Sequence, residues 1–425
     1  MEASTSQGVA RCSALRAIGY RPAEISGLFN TRVIEQHASE AAFHWTRRER
    51  AAHAPHYKLK HLAMLDERVN AHLHGLRVAG TVGWHVALAA LERADAGGVF
   101  VVSWLAFASA HRTHMSHALQ LALAQPSFMR AFEAALVWLE AHEARDPIHL
   151  LQASPTAQYQ HLALGALAGH GIDPGDFLAR TVESADAGLR ARSLQVIGQL
   201  RRRDLTGAVR SQLADADASC HFWAAWALTL LGHPDGAKTL LDSPRPEPGA
   251  VDIALRFGDP QWARDAIRHL ASQEGTLRLA IQAVASFGDC AAVGWLLEQM
   301  EAPQTARVAA EAFSLITGAD LDYLGLKRDA PEEEPEASDD EDRDLPWPDT
   351  ARLAHWWKAR QEQFVRGQRY LLGAPIDPNT AHRVLREGYQ RQRSAAAFEL
   401  GRLNEAVPLF PVLDRADRQR KRLAA

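Results

Sequence analysis

Twenty histidines in a chain of 425 residues are the first candidates for chemistry. In HRTHMSH, His111, His114 and His117 recur every third residue, so on a helix each successive pair shares a face and could turn imidazoles towards a metal ion. His53, His56, His61, His72 and His74 form a second, looser concentration. A zinc site takes three or four ligands in tetrahedral geometry, commonly with cysteine or carboxylate among them, and HRTHMSH carries neither. The expectation is surface or capping histidines, with no metal site and no cofactor.

Nucleophiles are no better placed. Cys12, Cys220 and Cys290 are too few and too scattered for a disulfide framework, which fits a reducing cytoplasm. No Gly-x-Ser-x-Gly elbow occurs, and nothing beside Cys220-His221 would orient a catalytic pair. No catalytic residue is assigned. A basic cluster does stand out, with Arg190, Arg192, Arg201, Arg202 and Arg203 followed by Trp223 and Trp226. Arginines beside aromatics can hold phosphates and stack bases, but a net charge of −4 argues against a dedicated nucleic-acid binder. Arg201, Arg202, Arg203, Trp223 and Trp226 are read instead as surface anchors for another protein, because these residue types dominate interface energies.

The elements that would position such residues are set by a third series. Asp173, Asp204, Asp235, Asp259, Asp289 and Asp320 fall at intervals of 31, 31, 24, 30 and 31. Each follows an Ala/Leu-rich stretch, such as HLALGALAGHGID or LAIQAVASFGD, and precedes a second apolar segment, such as FLARTV or AVGWLLEQM. Gly171, Gly232, Gly258, Gly288 and Gly318 stand one to three residues before an aspartate, where a left-handed helix end needs glycine. Pro174 and Pro260 directly follow Asp173 and Asp259, at the first helical position. The aspartates are therefore read as N-caps of the second helix in a hairpin. A period near 31 with two apolar segments marks a stacked helical solenoid. The interval of 24 holds DSPRPEPGA, whose prolines shorten the next first helix, VDIALRFG, so a step in the stack is expected there. Looser units upstream, VFVVSWLAFASA with HALQLALA among them, bring the total to roughly eight between Ala71 and Leu326. No strand pattern is found.

Composition sets the boundaries. Apolar residues at 47% and charged residues at 23% are those of an ordinary globular chain, and no apolar run is long enough to span a bilayer. The opening residues lack the layout of a signal peptide. Residues 329–344, DAPEEEPEASDDEDRD, carry ten acidic side chains against one arginine, whereas 345–425 carry fifteen Lys/Arg against eight Asp/Glu. The first of these is read as a disordered linker that contacts the basic tail loosely, if at all. The layout is thus an N-terminal helical cap (1–70), repeats (71–328), the acidic linker (329–344) and a basic C-terminal helical cap (345–425). In that last segment Leu353, Trp356, Trp357 and Phe364 form one apolar helix face.

Over Ala71–Leu326 the small-residue hairpins with glycine–aspartate turns resemble HEAT repeats of the short type found in bilin-lyase-like proteins. IEQHASEAAFHW (Ile34–Trp45) and LDERVNAHLHGLRVAG (Leu65–Gly80) are similar to the opening of an uncharacterised proteobacterial HEAT-repeat family. GQRYLLG (Gly367–Gly373) and GYQRQRSAAAFEL (Gly388–Leu400) are similar to its closing segment. The resemblance implies no established activity, and some members are associated with type VI secretion loci. At His74 that family more usually has an acidic residue. HEAT-repeat hydroxylases that bind two irons carry repeated His-Glu pairs, whereas only His142-Glu143 is present here.

The sequence thus points to an all-α, HEAT-like α-α superhelical solenoid with helical N- and C-terminal caps. Its expected role is that of a cytoplasmic, non-enzymatic protein-binding scaffold or adaptor, as a secretion-system accessory, with no membrane insertion. The competing reading is a lyase-like HEAT-repeat enzyme or a metal- or ligand-binding protein; nucleic-acid binding ranks below both.

Overall fold

The structure, a computed structural model, describes residues 30–91, 95–242, 246–331 and 342–424. Cys12 and the acidic residues 332–341 lie outside them. The described fold is all-α, built of helical repeats. The chain divides into two compact units, residues 1–48 with 64–147, and residues 49–63 with 148–425. The division falls inside the stretch read from the sequence as one array beginning at Ala71.

The first unit draws on helices α1 (Thr31–Ala51), α2 (Leu59–Val78), α3 (Thr81–Ala90), α4 (Ala96–Ala108), α5 (Arg112–Ala122) and α6 (Pro126–Trp138). α4 is buried at every residue from Val99 to Phe107, as a helix apolar all round must be. It packs against α3, α5 and α6. Gly97 lets α1 approach, since a Cβ there would stand 2.6 Å from the carbonyl oxygen of Ala42. Trp45 then stacks on Phe100 with ring centroids 4.6 Å apart. Arg48 and Asp66, both buried, pair at 3.0 Å.

The second unit carries the regular repeats. Six first helices, α8 (Ala157–Gly169), α10 (Ala187–Leu200), α12 (Ala218–Leu230), α14 (Pro248–Phe257), α16 (Leu277–Phe287) and α18 (Pro303–Thr317), each pack on the next. They follow α7 (Ala141–Ala153) and alternate with second helices α9 (Asp176–Thr181), α11 (Thr206–Ser211), α13 (Pro234–Leu241), α15 (Pro260–Ser272) and α17 (Val293–Gln299). α14, with 10 residues, is the shortened first helix that the proline-rich interval requires. After α18 the chain turns over residues 321–325 without forming a helix. The layer is completed instead by α19 (Thr350–Lys358), which packs on α17 from beyond the acidic stretch. Leu353, Trp356 and Trp357 seat it on the cluster that holds Leu296, Phe313 and Ile316, and Phe364, expected on the same helix face, packs there from beyond the helix end at Lys358.

Beyond α19 the C-terminal segment departs from the expected end cap and becomes a strap along the helix ends. β1 (Tyr370–Leu371) and β2 (Ala374–Pro375) pair antiparallel through Leu372 and Gly373, whose φ values of 49° and 76° suit a two-residue hairpin turn. No strand was expected, and two residues per strand are too few to leave an alternation. α20 (Pro378–Glu387), α21 (Gln390–Leu403) and α22 (Ala416–Ala424) follow.

The strap binds what the repeats leave unsatisfied. The last carbonyls of a helix have no partner within it. Tyr370 N donates to Gly288 O at 2.8 Å, Leu372 N to Leu315 O at 2.7 Å and Gly373 N to Ile316 O at 3.0 Å. Arg369 donates from Nε to Phe287 O at 2.6 Å and from Nη1 to Arg256 O at 3.1 Å. A guanidinium at these C-termini also complements the helix dipoles. Farther along, Leu409 N donates to Gln199 O at 3.0 Å.

Candidate functional site

The turn aspartates divide into three kinds. Asp259 caps α15, accepting from Gln261 N and Trp262 N at 2.9 and 3.0 Å. Asp289 caps the single turn that leads into α17, accepting from Ala291 N at 3.0 Å. Asp173 and Asp320 close turns instead of capping a second helix, accepting from Gly175 N (2.9 Å) and Tyr323 N (3.1 Å); Gly175 holds the capping position after Asp173, and no helix opens at Asp320. Asp204 and Asp235 depart from the expected role. Arg202 and His233 occupy the capping positions ahead of them, so each aspartate stands two residues past the position that would let it cap its helix. Their carboxylates go to Arg202 (2.7 Å) and Arg210 (3.1 Å). Gly258 is extended at φ −70°, not left-handed, and its smallness serves Trp262, whose ring a Cβ would meet at 2.6 Å.

Three of these carboxylates, with Asp215, also tie successive repeats together. Arg190 to Asp215, Arg210 to Asp235 and Arg264 to Asp289 each span 25 residues, at 2.9, 3.1 and 3.1 Å. Arg202 reaches back to Asp173 at 2.6 Å. A capping series absent from the sequence reading opens the first helices. Asp186 accepts from Leu189 N at 2.8 Å, and Asp217 from Ser219 N and Cys220 N at 3.0 Å. An Ala-Asp-Ala triplet marks both positions.

Of the residues read as anchors for a foreign protein, Arg201, Arg203 and Trp226 serve the strap, whereas Arg202 pairs with Asp173 and Asp204 of the repeats. Arg201 is buried and donates to Gly401 O at 2.9 Å, with its guanidinium over the Phe257 ring. It is left-handed at φ 57°, in the slot where neighbouring repeats have glycine. Arg203 pairs with Glu405. Trp226 lies against Gly198 of α10, and it joins a cluster that includes Phe398 and Leu409 of the strap. Trp223 is half-buried, edge-on to Trp226. These partners lie up to about two hundred residues away, beyond the reach of any local pattern.

At the centre of this contact is Glu399 of α21, fully buried among Arg256 (3.2 Å), Arg369 and Arg402 (2.8 Å). Burial by itself would raise this carboxyl, but the three guanidiniums outweigh it and hold the group below its ordinary value. Arg256 also pairs with Asp252 at 2.7 Å, and Asp252 accepts from Ser286 Oγ at 2.6 Å.

Beside this network lies a cavity of about 820 Å³. Residues of α14, α16 and α18 line one side, and residues of α20, α21 and the segment 53–58 line the other. Half the lining side chains are polar or charged. Carboxylates (Asp252, Glu311, Asp320, Asp322, Asp344, Glu387) outnumber cations (Lys58, Arg256, Arg383, Arg391). Glu311 is raised by burial even though Arg391 pairs with it at 2.9 Å. Asp320 accepts from the Tyr389 hydroxyl at 3.3 Å, and Lys58 stands over the Tyr389 ring at 4.5 Å. Tyr323, next to lining residue Asp322, is 87% exposed. The described end of the acidic stretch is fixed on the repeats, not on the basic tail: buried Asp342 takes two bonds of 2.6 Å from Arg278.

Histidines and cysteines settle into separate environments. His114 stacks on Trp84 with ring centroids 3.8 Å apart, and burial, aided by His111, His85 and His117, pushes it down to about 4. His61 Nδ1 accepts from Lys58 N at 3.2 Å, His56 lies 3.8 Å from Asp344, and exposed His74 sits edge-on to Trp104. Glu143 of the His-Glu pair takes Arg77 at 2.9 Å. Cys220 Sγ donates to Ala187 O, and burial pushes its thiol up to about 11. The Cys290 thiol is raised by burial as well. Neither is poised as a thiolate nucleophile.

No protein-family model matches the chain, and no curated protein matches it. Among solved structures, an engineered protein from the Northeast Structural Genomics Consortium is similar over 88% of this chain and 99% of its own, at 13% identity and a TM-score of 0.30. The fold assignment rests on the helix packing described above. No helix among the described residues is long and apolar enough to cross a membrane.

Proposed function

We propose that the protein is a non-enzymatic scaffold that grips an extended, basic segment of another protein in the cavity between the repeats and the strap. The observation that carries this reading is the cavity itself, with its charged lining and excess of carboxylates. Small-molecule sites are mostly apolar with a few placed polar groups, whereas half of this lining is polar. Both walls are pre-formed, because Glu399 ties the strap to α14, and a rigid groove costs less ordering on binding. Exposed Tyr323 and Leu324 offer the apolar anchor that such an interface uses. The resemblance of both chain ends to a family of which some members are associated with type VI secretion loci supports a secretion-system component as the partner. The few, scattered cysteines support a cytoplasmic setting.

The test is site-specific photo-crosslinking in the native host, with the probe placed at Tyr323, at Glu387, or at Arg268, an exposed α15 residue that does not line the cavity. The reading expects one polypeptide captured from both Tyr323 and Glu387 and not from Arg268. Capture of the same set from all three positions, or of nothing, would defeat it.

A further inference from the structure

We propose that Glu40, His44 and His72 form a binding site for a divalent transition-metal ion of the zinc class in the first unit, with His37 orienting His72. His37, Glu40 and His44 stand at i, i+3 and i+7 of α1, so all three project from one face. His72 comes from α2. One ligand atom from each of Glu40, His44 and His72 lies within 4.8 Å of the others. Four-coordinate zinc with bonds of about 2.0–2.1 Å holds its ligand atoms roughly 3.4 Å apart, so side-chain adjustments of about an ångström close the set. His44 Nε2 already lies 3.4 Å from Glu40 Oε2. His44 is only 9% exposed, and its Nδ1 has no hydrogen-bond partner.

The fourth residue supplies the orientation that metal-bound imidazoles need. His37 Nδ1 and His72 Nδ1 are 3.0 Å apart, so one carries the proton and the other accepts it. With the proton on His72 Nδ1, the lone pair on its Nε2 is left for the ion, and His37 fixes the ring. Gly75 makes room for this, since a Cβ there would come within 2.8 Å of His37 Nε2. Two imidazoles and one carboxylate leave at least one coordination position open, a donor set suited to zinc, cobalt, nickel or iron rather than to calcium or magnesium.

The test uses the full-length chain, stripped with a chelator and titrated with Co²⁺ as a visible probe, followed by displacement with Zn²⁺. One ion per chain is expected, with ligand-field bands that Zn²⁺ removes. His72→Gln and Glu40→Gln should each abolish stoichiometric binding, His37→Gln should weaken it by about 10- to 100-fold, and His114→Gln should leave it unchanged. A measurement on the unaltered protein stands beside the variants: Zn²⁺ should slow hydrogen exchange at the ring carbons of His44 and His72 and not at His114. An unaltered chain that retains no Co²⁺ or Zn²⁺ would overturn the proposal. Binding that persists in both His72→Gln and Glu40→Gln would overturn it too.

Discussion

Glu399→Gln keeps the shape of the side chain and removes its charge. The carboxylate is 0% exposed, and its partners Arg256 and Arg369 are only 3% and 15% exposed. Asp252 would go on neutralising Arg256, but Arg369 would remain buried without the carboxylate it faces. Removing one member of a buried ion pair costs about 3–5 kcal/mol. Glutamine retains one acceptor oxygen, which places the loss near the lower end, about 3 kcal/mol. If that loss falls on the strap, the opening that exposes the amides of Tyr370, Leu372 and Gly373 becomes roughly a hundredfold more frequent. Hydrogen exchange read by mass spectrometry should show that acceleration in peptides around residues 369–373, with the first unit unchanged. Acid supplies a second reading. The Glu399 pKa lies below its ordinary 4.5, so its stabilisation is complete above that value and disappears as pH falls through the lower folded one. The variant should lack this acid-dependent loss. Equal protection of the strap in Glu399→Gln would refute the argument that the buried carboxylate holds it.

Other outcomes follow from the same geometry. Asp259→Ala removes a true N-cap and should cost about 1 kcal/mol in denaturant unfolding, whereas Asp204→Ala, which loses only an exposed pair, should cost well under 1 kcal/mol. Cys220 and Cys290 should resist alkylation at pH 8 in the folded chain and react once it is unfolded, as followed by mass-mapped labelling, because burial raises both thiols, Cys220 to about 11. His114, pushed down from 6.5 to about 4, favours the folded state fully above pH 6.5, and that contribution is lost as pH falls towards 4. The difference in thermal stability between the natural chain and His114→Gln should therefore shrink across this window; a constant difference would contradict the assignment.

What the sequence makes legible is the part written in local patterns. The glycine–aspartate turns and the apolar segments near a period of 31 predict hairpins, and α8 to α18 follow them, down to the shortened α14. Caps are less legible than hairpins. A shift of two residues turns a cap into a first-turn acid, as at Asp204 and Asp235. The strap is the part that local reading misses. Its hairpin is too short to alternate, and its attachments join positions such as Arg201 and Gly401, 200 residues apart. An arginine in a glycine slot is a signal only once its distant acceptor is known. Local pattern makes the basic cluster a surface for a partner, whereas Arg201 and Arg203 bind the chain's own C-terminal segment and Arg190 and Arg202 bind aspartates of the repeats. Histidine spacing shows the same limit of local reading. Regular spacing drew attention to HRTHMSH, while Glu40 and His44 meet His72 from a second helix.

The C-terminal segment returns across the second unit and closes the cavity against residues 53–58. Lys58 and Tyr389 both line that cavity and form an antiparallel bridge. Such pairs have Cα atoms about 4.5–5.5 Å apart, within the range of about 4.4–6.8 Å that a disulfide spans. In a chain carrying Lys58→Cys and Tyr389→Cys, mild oxidation should join the two introduced thiols within one molecule, independently of protein concentration, and leave Cys220 and Cys290 reduced. Thiols that stay free, or that link only between molecules, would contradict the account.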